Sequence, residues 1–441
     1  MNTLSQPLRP TVAVAGLSSP LEVGADQAPA LAHGLGALLA EQGFDVVPLG
    51  AIDAPAEARA AGRLCAERHV DAIACVAASW FEDYLLVDML EEHTVPVLLW
   101  STPGMETGAL CGSQQLTSYL KQLEWPYGCV FGPIEDPACV GLAQDYLLAA
   151  GLKSRLRRAR IGLAGQRIGG MTHTAPNEFA LKKAIGPRVV PLDVPVLLER
   201  AAEFTQEQTM PLWRELVGRA ATSRVPVEDG RDSMGIYLAL RETVAQEGLD
   251  ALTVGCYPYL MGRVCIAGSL LADEGIPMAC EGDVNGAVGQ LMLQLLTGRP
   301  THCTDWLNPL EDGTVIFTHC GSGSFSLAER QSDITLADVR LMGQGACALF
   351  PATPGPVTLL SLVGTGSGYQ CALLEGEAVS TEMVFRGNPV RVRFARPVSE
   401  LIDWIHAEGI GHHWMIGYGH VATAVRHWAA MAGPAVKLVE A

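Results

Sequence analysis

The chain has 441 residues, 49% of them hydrophobic and 17% charged, enough to bury large cores and too apolar for wholesale disorder. Thirty Lys and Arg stand against 47 Asp and Glu, a formal net charge of −17. A binder of phosphate backbones shows a basic face, and an anionic membrane repels an acidic chain, so neither nucleic acid nor a membrane is expected as a partner.

At roughly 100–200 residues per domain, the length predicts two to four domains. No apolar run approaches the ~18 residues of a membrane span. The stretch Val12–Leu17 is too short for the apolar core of a secretory leader, so a cytoplasmic protein is expected. The twelve cysteines contain no Cys-x-x-Cys pair, and the nearest two, Cys256 and Cys265, are nine apart. That argues against zinc ribbons, iron–sulfur runs and thioredoxin-like chemistry. Scattered in an Ala-rich chain, they read as small buried hydrophobes in a reducing compartment.

Along the first ~155 residues, short apolar runs alternate with helical stretches. Strands are expected at Thr11–Gly16, Phe44–Gly50, Ala72–Ala77 and Val95–Trp100, with helices over Gln27–Gln42 and Ala54–Glu67. Strands separated by helices of ten or more residues imply β-α-β units and a parallel sheet. The basic run Lys153–Arg160 reads as a solvated linker. The rhythm then restarts with strands at Arg160–Gly165, Val189–Asp193, Ala251–Gly255 and Ile276–Cys280. Helices are expected over Val194–Phe204, Thr209–Thr222 and Asp232–Gln246.

From about residue 299 the character changes. Turn residues cluster at Glu311–Gly313, Gly321–Gly323, Pro351–Pro356, Gly364–Gly368 and Gly387–Pro389, between short β-branched runs such as Thr314–Thr318, Val357–Val363 and Val390–Phe394. This is an antiparallel sheet or barrel pattern, closed by helices expected over Val398–His406 and His413–Ala430. The expected fold is therefore α/β. Two Rossmann-like parallel-sheet domains (1–155 and 156–298) precede a β-rich C-terminal domain (299–441) with a terminal helix.

Gly16 and Gly165 end first strands, but neither continues as Gly-x-Gly-x-x-Gly, which disfavours a dinucleotide cofactor. Five of the eleven histidines, His406, His412, His413, His420 and His427, fall in the last 36 residues. His420 and His427 are spaced to line one helix face, a structural arrangement. His413 stands where a loop is expected to enter a helix, a better position for a ligand.

The segment Ile276–Asp305 carries most information. Glu281 follows a buried strand, where open α/β sheets place their ligands. Asp283 or Asn285 would cap the helix over Ala287–Leu296, which Gly298 and Pro300 stop. Asp305 comes after that helix, at the entrance to the third domain. Read from position alone, Glu281 and Asp305 either face each other across a cleft or serve as a cap and a turn residue.

The stretch Cys280–Gly298 followed by Asp305 resembles the metal-site segment of the L-fucose and L-arabinose isomerase family: an acid at a strand end, a glycine-containing helix start, a Leu-Thr-Gly stop and a second acid. Gly411-His-His413-Trp and Gly419-His420 resemble the family's C-terminal histidine motif. The resemblance implies a metal-dependent aldose–ketose isomerase that acts on a monosaccharide through a metal-bound enediolate. In it, Glu281 and Asp305 are metal ligands and proton shuttles, and His413 completes the ligand set. Two oxygens and one imidazole with open positions favour Mn²⁺, with Co²⁺ or Mg²⁺ as alternatives, over a closed zinc site.

The resemblance also implies a homo-oligomer, trimer or hexamer, with sites shared between subunits. Ala78-Ser-Trp80-Phe81 is similar to a segment whose tryptophan stacks on substrate; Trp80 as a core residue is the alternative. His319 sits where arabinose isomerases carry a further histidine. The first loop, Gly16–Gly24, lacks an arginine that fucose isomerases direct at substrate, so an unusual or acid-bearing sugar fits. The rival readings are a non-catalytic sugar-binding protein and an epimerase using the same enediolate.

Overall fold

The computed structural model describes residues 7–441, which divide into two compact units. One comprises 8–155 with 423–433; the other comprises Pro7, 156–422 and 434–441.

In the first unit the strands are β1 (Thr11–Leu17), β2 (Asp45–Ile52), β3 (Ala72–Ala77), β4 (Val97–Ser101) and β5 (Tyr127–Phe131), paired in parallel in the order β2-β1-β3-β4-β5. Helices α1 (Ala28–Glu41), α2 (Pro55–Glu67), α3 (Tyr84–Glu92), α4 (Ala109–Gln122) and α5 (Pro137–Arg158) alternate with them. The all-buried run Ala72–Ala77 is what a sheet covered on both faces requires.

The basic run is helical rather than a solvated loop, although the boundary between the two units falls within it. Lys153–Arg158 forms the last turns of α5, because Leu152 and Leu156, four apart and fully buried, carry the helix through it. The Lys153 ammonium donates to the Met431 carbonyl.

The second unit contains a parallel sheet, β10-β9-β6-β7, built from β6 (Arg160–Ala164), β7 (Arg188–Leu192), β9 (Ala251–Val254) and β10 (Met278–Ala279). Its helices are α6 (Glu178–Ala184), α7 (Val194–Glu203), α8 (Gln206–Arg219), α9 (Val227–Glu247), α10 (Cys265–Asp273) and α11 (Val284–Thr297). The short strand β8 (Thr222–Ser223) joins β13 (Thr335–Ala337) and β14 (Cys347–Leu349) in a small sheet.

The remaining strands are β11 (His302–Pro309), β12 (Thr314–Thr318), β15 (Gly355–Gly364), β16 (Tyr369–Val379), β17 (Val390–Arg393), β18 (His413–Tyr418) and β19 (Val436–Glu440). They form a sheet ordered β15-β18-β11-β12-β17-β16-β19, antiparallel except for β16 with β19. β15 also pairs with β16, so the antiparallel pairings run in a closed circuit. Helix α12 (Val398–Glu408) precedes β18.

Three sequence expectations change here. His413–Tyr418 is a strand, not the start of a helix: all six residues are buried, and a short continuous apolar run cannot be told from a buried helix by periodicity. Helix α13 (Ala422–Ala432) starts after His420, which therefore shares no helix face with His427. Asp305 lies inside β11 rather than in a turn. Among the described residues no helix is long and apolar enough to cross a membrane.

Candidate functional site

Register brings the predicted residues of the second unit together. β18 and β11 are neighbouring antiparallel strands with His413 directly opposite Asp305, and β12 pairs Thr318 with Asp305 on its other side. Directly opposite residues hold their Cβ atoms about 4.5–5.5 Å apart. His319, one residue past β12, therefore borders the same spot.

Glu281 arrives from the parallel sheet. Its backbone takes φ 66°, and Gly282 follows at φ 73°, two left-handed residues that reverse the chain between β10 and α11. A non-glycine residue held there is uncommon and marks a position fixed by its surroundings. The Ile168 amide donates to the Glu281 carbonyl at 3.2 Å and the Gly282 amide to the Val254 carbonyl at 3.0 Å, pinning the turn. A Cβ on Gly282 would stand 2.5 Å from the Gln166 carbonyl oxygen, so glycine is needed for the close approach.

Asp283 caps α11, its Oδ1 accepting from the Gly286 amide at 2.9 Å. β18 can lie close on α11 because glycines line the crossing: a Cβ on Gly286 would be 2.7 Å from the Met415 methyl, and one on Gly417 2.8 Å from the Leu293 Cβ. This closeness carries His413 to Asp283, whose Oδ2 is 2.8 Å from His413 Nδ1.

The opposite ring nitrogen, His413 Nε2, faces two carboxylates: Glu281 Oε2 at 3.2 Å and Asp305 Oδ1 at 3.6 Å. His319 Nε2 lies 3.8 Å from Glu281 Oε2 and 4.0 Å from Asp305 Oδ2. His412 Nε2, on the exposed side, is 3.8 Å from Asp305 Oδ1. The His173 ring meets His412 edge-on at 5.0 Å.

Electrostatics tie the groups together. Burial alone would raise the Glu281 carboxyl, but the His319 and His413 imidazoles outweigh it and hold the group down to about 2. Burial opposes protonation of His413, yet Asp283 and Glu281 push it up to about 9. His412 and His173 are lowered, first by burial and then by the charge on His413.

The donor set suits a hard divalent cation. Glu281, His412 and His413, and likewise Asp305, His319 and His413, place ligand atoms within 4.8 Å of one another. Cis ligands about 2.1 Å from one octahedral ion stand about 3 Å apart, and the separations here run wider, from 3.2 to 4.0 Å, so the donors would draw in on binding. Asp305 Oδ1 is buried without a hydrogen-bond partner, as a group awaiting a ligand is.

Trp80 belongs to the other unit, just past β3, where its indole Nε1 donates to Gln115 Oε1 at 3.1 Å. It is half-buried, so it is not a core tryptophan of the kind Trp100 is.

Sequence reasoning did not find the Asp283–His413 contact, because a capping aspartate carries no mark of a partner 130 residues away. It also missed the loop 165–175, which touches the site through Ile168 and His173. The change to polar, glycine-rich sequence after β6 was the available signal.

No family model matches the chain. Curated sulfoquinovose isomerases are similar over most of its length. The protein of Alkalicoccus urumqiensis is 23% identical over 368 residues, 81% of this chain and 83% of its own. That of Priestia megaterium is 24% identical over 369 residues, 80% and 82%. That of Clostridium sp. (strain MSTE9) is 24% identical over 343 residues, 74% and 76%. Among solved structures, a periplasmic solute-binding protein of Actinobacillus succinogenes 130z with bound D-allose aligns over 61% of this chain and 84% of that one at 10% identity. Its TM-score of 0.18 is too low to bear on fold or ligand.

Proposed function

We propose that the protein is an aldose–ketose isomerase acting on a monosaccharide, with Glu281, Asp305 and His413 holding a divalent cation of the Mn²⁺, Co²⁺ or Mg²⁺ class. The observation that carries this reading is the meeting of two carboxylates and one oriented imidazole, delivered from three separate segments, in a chain whose curated relatives are isomerases.

When bound, such a cation supplies Lewis-acid stabilisation of the negative charge that develops on neighbouring sugar oxygens. The rest falls to the side chains. Moving a carbonyl between C1 and C2 requires removing a weakly acidic carbon proton and returning it next door, through an enediolate. Glu281, held ionised at neutral pH, is in the form a base needs. Asp305, across from it, is the second carboxyl of the shuttle. Asp283 fixes the His413 ring so that Nε2 faces the carboxylates. His319 lines the same spot, and Trp80 is the candidate for stacking on an apolar sugar face.

Sulfoquinovose, the sugar in the relatives' name, is the first substrate to test. A cytoplasmic homo-oligomer, trimer or hexamer, with Rossmann-like parallel-sheet domains remains part of the proposal. The test is incubation with Mn²⁺ and sulfoquinovose, then with neutral aldoses, in D₂O. Ketose formation is expected, with deuterium at C1 of the ketose and at C2 of the aldose re-formed from it. No ketose from any of the sugars overturns the reading, and inversion at C2 without ketose makes the enzyme an epimerase.

A further inference from the structure

The loop that follows β6 arches over the start of α11 and is pinned at both ends. The Ile168 amide donates to the Glu281 carbonyl at 3.2 Å, and the Met171 amide donates to the Ile168 carbonyl at 3.2 Å. Further along, Asn285 Nδ2 donates to the His173 carbonyl at 3.3 Å, and the Tyr369 hydroxyl donates to Asn285 Oδ1 at 3.1 Å. The residues from Arg167 to His173 are thereby held beside the carboxylate–histidine cluster.

Arg167 is half-buried at the base of this arch, and its guanidinium Nη1 donates to the Ile168 carbonyl at 2.9 Å. Among the described residues it pairs with no carboxylate. Glu281 and Asp305 face His413, His319 and His412 instead. Arg263, in the segment after β9, shows the usual alternative: two hydrogen bonds of 2.7 and 2.8 Å tie it to Asp232.

The next residues leave room. Gly169 and Gly170 are exposed, a Cβ on either would meet nothing within 4 Å, and neither amide hydrogen-bonds to another described residue. Backbone N–H groups left free in a turn, next to a guanidinium, attract anions.

A structural staple explains only part of this arrangement. Holding the Ile168 carbonyl needs a donor, not a charge, and a half-buried cation without a counter-ion costs desolvation that a neutral donor avoids. In a chain of net charge −17, an uncompensated guanidinium near two carboxylates also lowers the repulsion that an anionic substrate meets. A neutral sugar has no use for either property.

We propose that Arg167, with the Gly169 and Gly170 amides beside it, receives an anionic group at the end of the sugar remote from C1 and C2. The substrate class is then an aldose with a terminal sulfonate, phosphate or carboxylate, oxygen groups that the planar guanidinium fork matches with paired hydrogen bonds. The inference deepens the isomerase reading and rests on it for the position of the sugar.

In the experiment the full chain is titrated calorimetrically with sulfoquinovose, glucose 6-phosphate, glucuronate and glucose, and the same four are compared as substrates with Mn²⁺ added. An anionic sugar is expected to bind about tenfold or more tighter than glucose, and which one it is identifies the terminal group. Arg167→Gln keeps a donor for the Ile168 carbonyl and removes the charge. It should shrink that preference about tenfold or more, through KM rather than kcat, while the thermal melt shows a folded protein. Arg167→Lys should recover part of the preference, because the charge returns without the fork, and it decides the matter if the glutamine variant does not fold. A loop merely loosened by the substitution weakens all four sugars alike and leaves their ratios unchanged. That result overturns the assignment, as does equal binding of all four sugars by the wild type. Preferential binding of an anionic sugar that Arg167→Gln abolishes, with no isomerisation of any sugar, leaves the anion site standing and sinks the isomerase reading.

Discussion

His413 Nδ1 lies 2.8 Å from Asp283 Oδ2, and both side chains are only 4% exposed. The same aspartate caps α11 through its other oxygen. One residue therefore sets a helix start and fixes which imidazole nitrogen faces Glu281 and Asp305. Asp283→Asn separates the two jobs, since asparagine caps helices as well as aspartate but is a weaker, uncharged partner for an imidazole N–H. Divalent-cation affinity should fall about 10–100-fold, the usual effect of removing a carboxylate behind a ligating histidine, with little change in melting. Asp283→Ala should lose that affinity and also about 1 kcal/mol of stability with the cap. Titration of metal-free protein with Mn²⁺, beside denaturant unfolding, reads both. Equal cation affinity in wild type and Asp283→Asn would show that the contact orients nothing.

The proposed roles of the two carboxylates predict that Glu281→Ala and Asp305→Ala each abolish C1–C2 exchange while the fold survives. Both side chains are partly exposed, so neither supports the core. His413→Ala should strip the cation from purified protein, read by elemental analysis. Near wild-type turnover in either carboxylate variant sinks the assignment. Unchanged metal content in His413→Ala shifts the ligand role to His319 or His412, which border the same oxygens.

How far the site was legible depended on the kind of signal. Glu281 could be placed because a buried apolar run, a glycine turn and a capping aspartate are local patterns, and the observed strand end, turn and N-cap follow that reading. His413 was singled out, but its surroundings were misjudged. The run from His413 to Tyr418 is buried throughout, and length and glycine content were weak guides between strand and helix. The pairing of Asp305 with His413 was not legible, because strand register across 107 residues of intervening chain is set by tertiary packing and leaves no mark on either residue's neighbours. The basic end of α5 misled for the opposite reason: its charges are conspicuous, while Leu152 and Leu156 decide the structure.

The turn that delivers Glu281 rests on Gly282. An alanine there meets a left-handed φ of 73° and a Cβ 2.6 Å from the Arg167 Cα, which is backbone and cannot swing aside. Left-handed strain of about 1–2 kcal/mol and overpacking of about 1–3 kcal/mol add, giving roughly 2–5 kcal/mol of destabilisation. Gly313→Ala is the control, a left-handed glycine with open space around its Cβ, and should cost only the strain. Denaturant midpoints of the two variants give the comparison. Similar losses for both would mean the loop 165–168 yields easily and does not hold Glu281.

His302 offers a test in acid. It is fully buried in β11 between Phe350 and Tyr418, neither ring nitrogen has a hydrogen-bond partner, and burial lowers it from 6.5 to about 4. Folding thus lowers the pKa, so between these values the unfolded chain binds more protons than the folded one. Stability from this source is complete above pH 6.5 and is lost as the pH falls toward 4, by up to about 3 kcal/mol. His302→Leu keeps the apolar contacts and removes both orphaned nitrogens, so the variant should match or exceed wild type at pH 7.5. Its advantage should then grow as the pH drops from 6.5 to 4. Urea unfolding at intervals across that range measures the difference, and parallel curves for the two proteins would exclude His302 as the source of acid sensitivity.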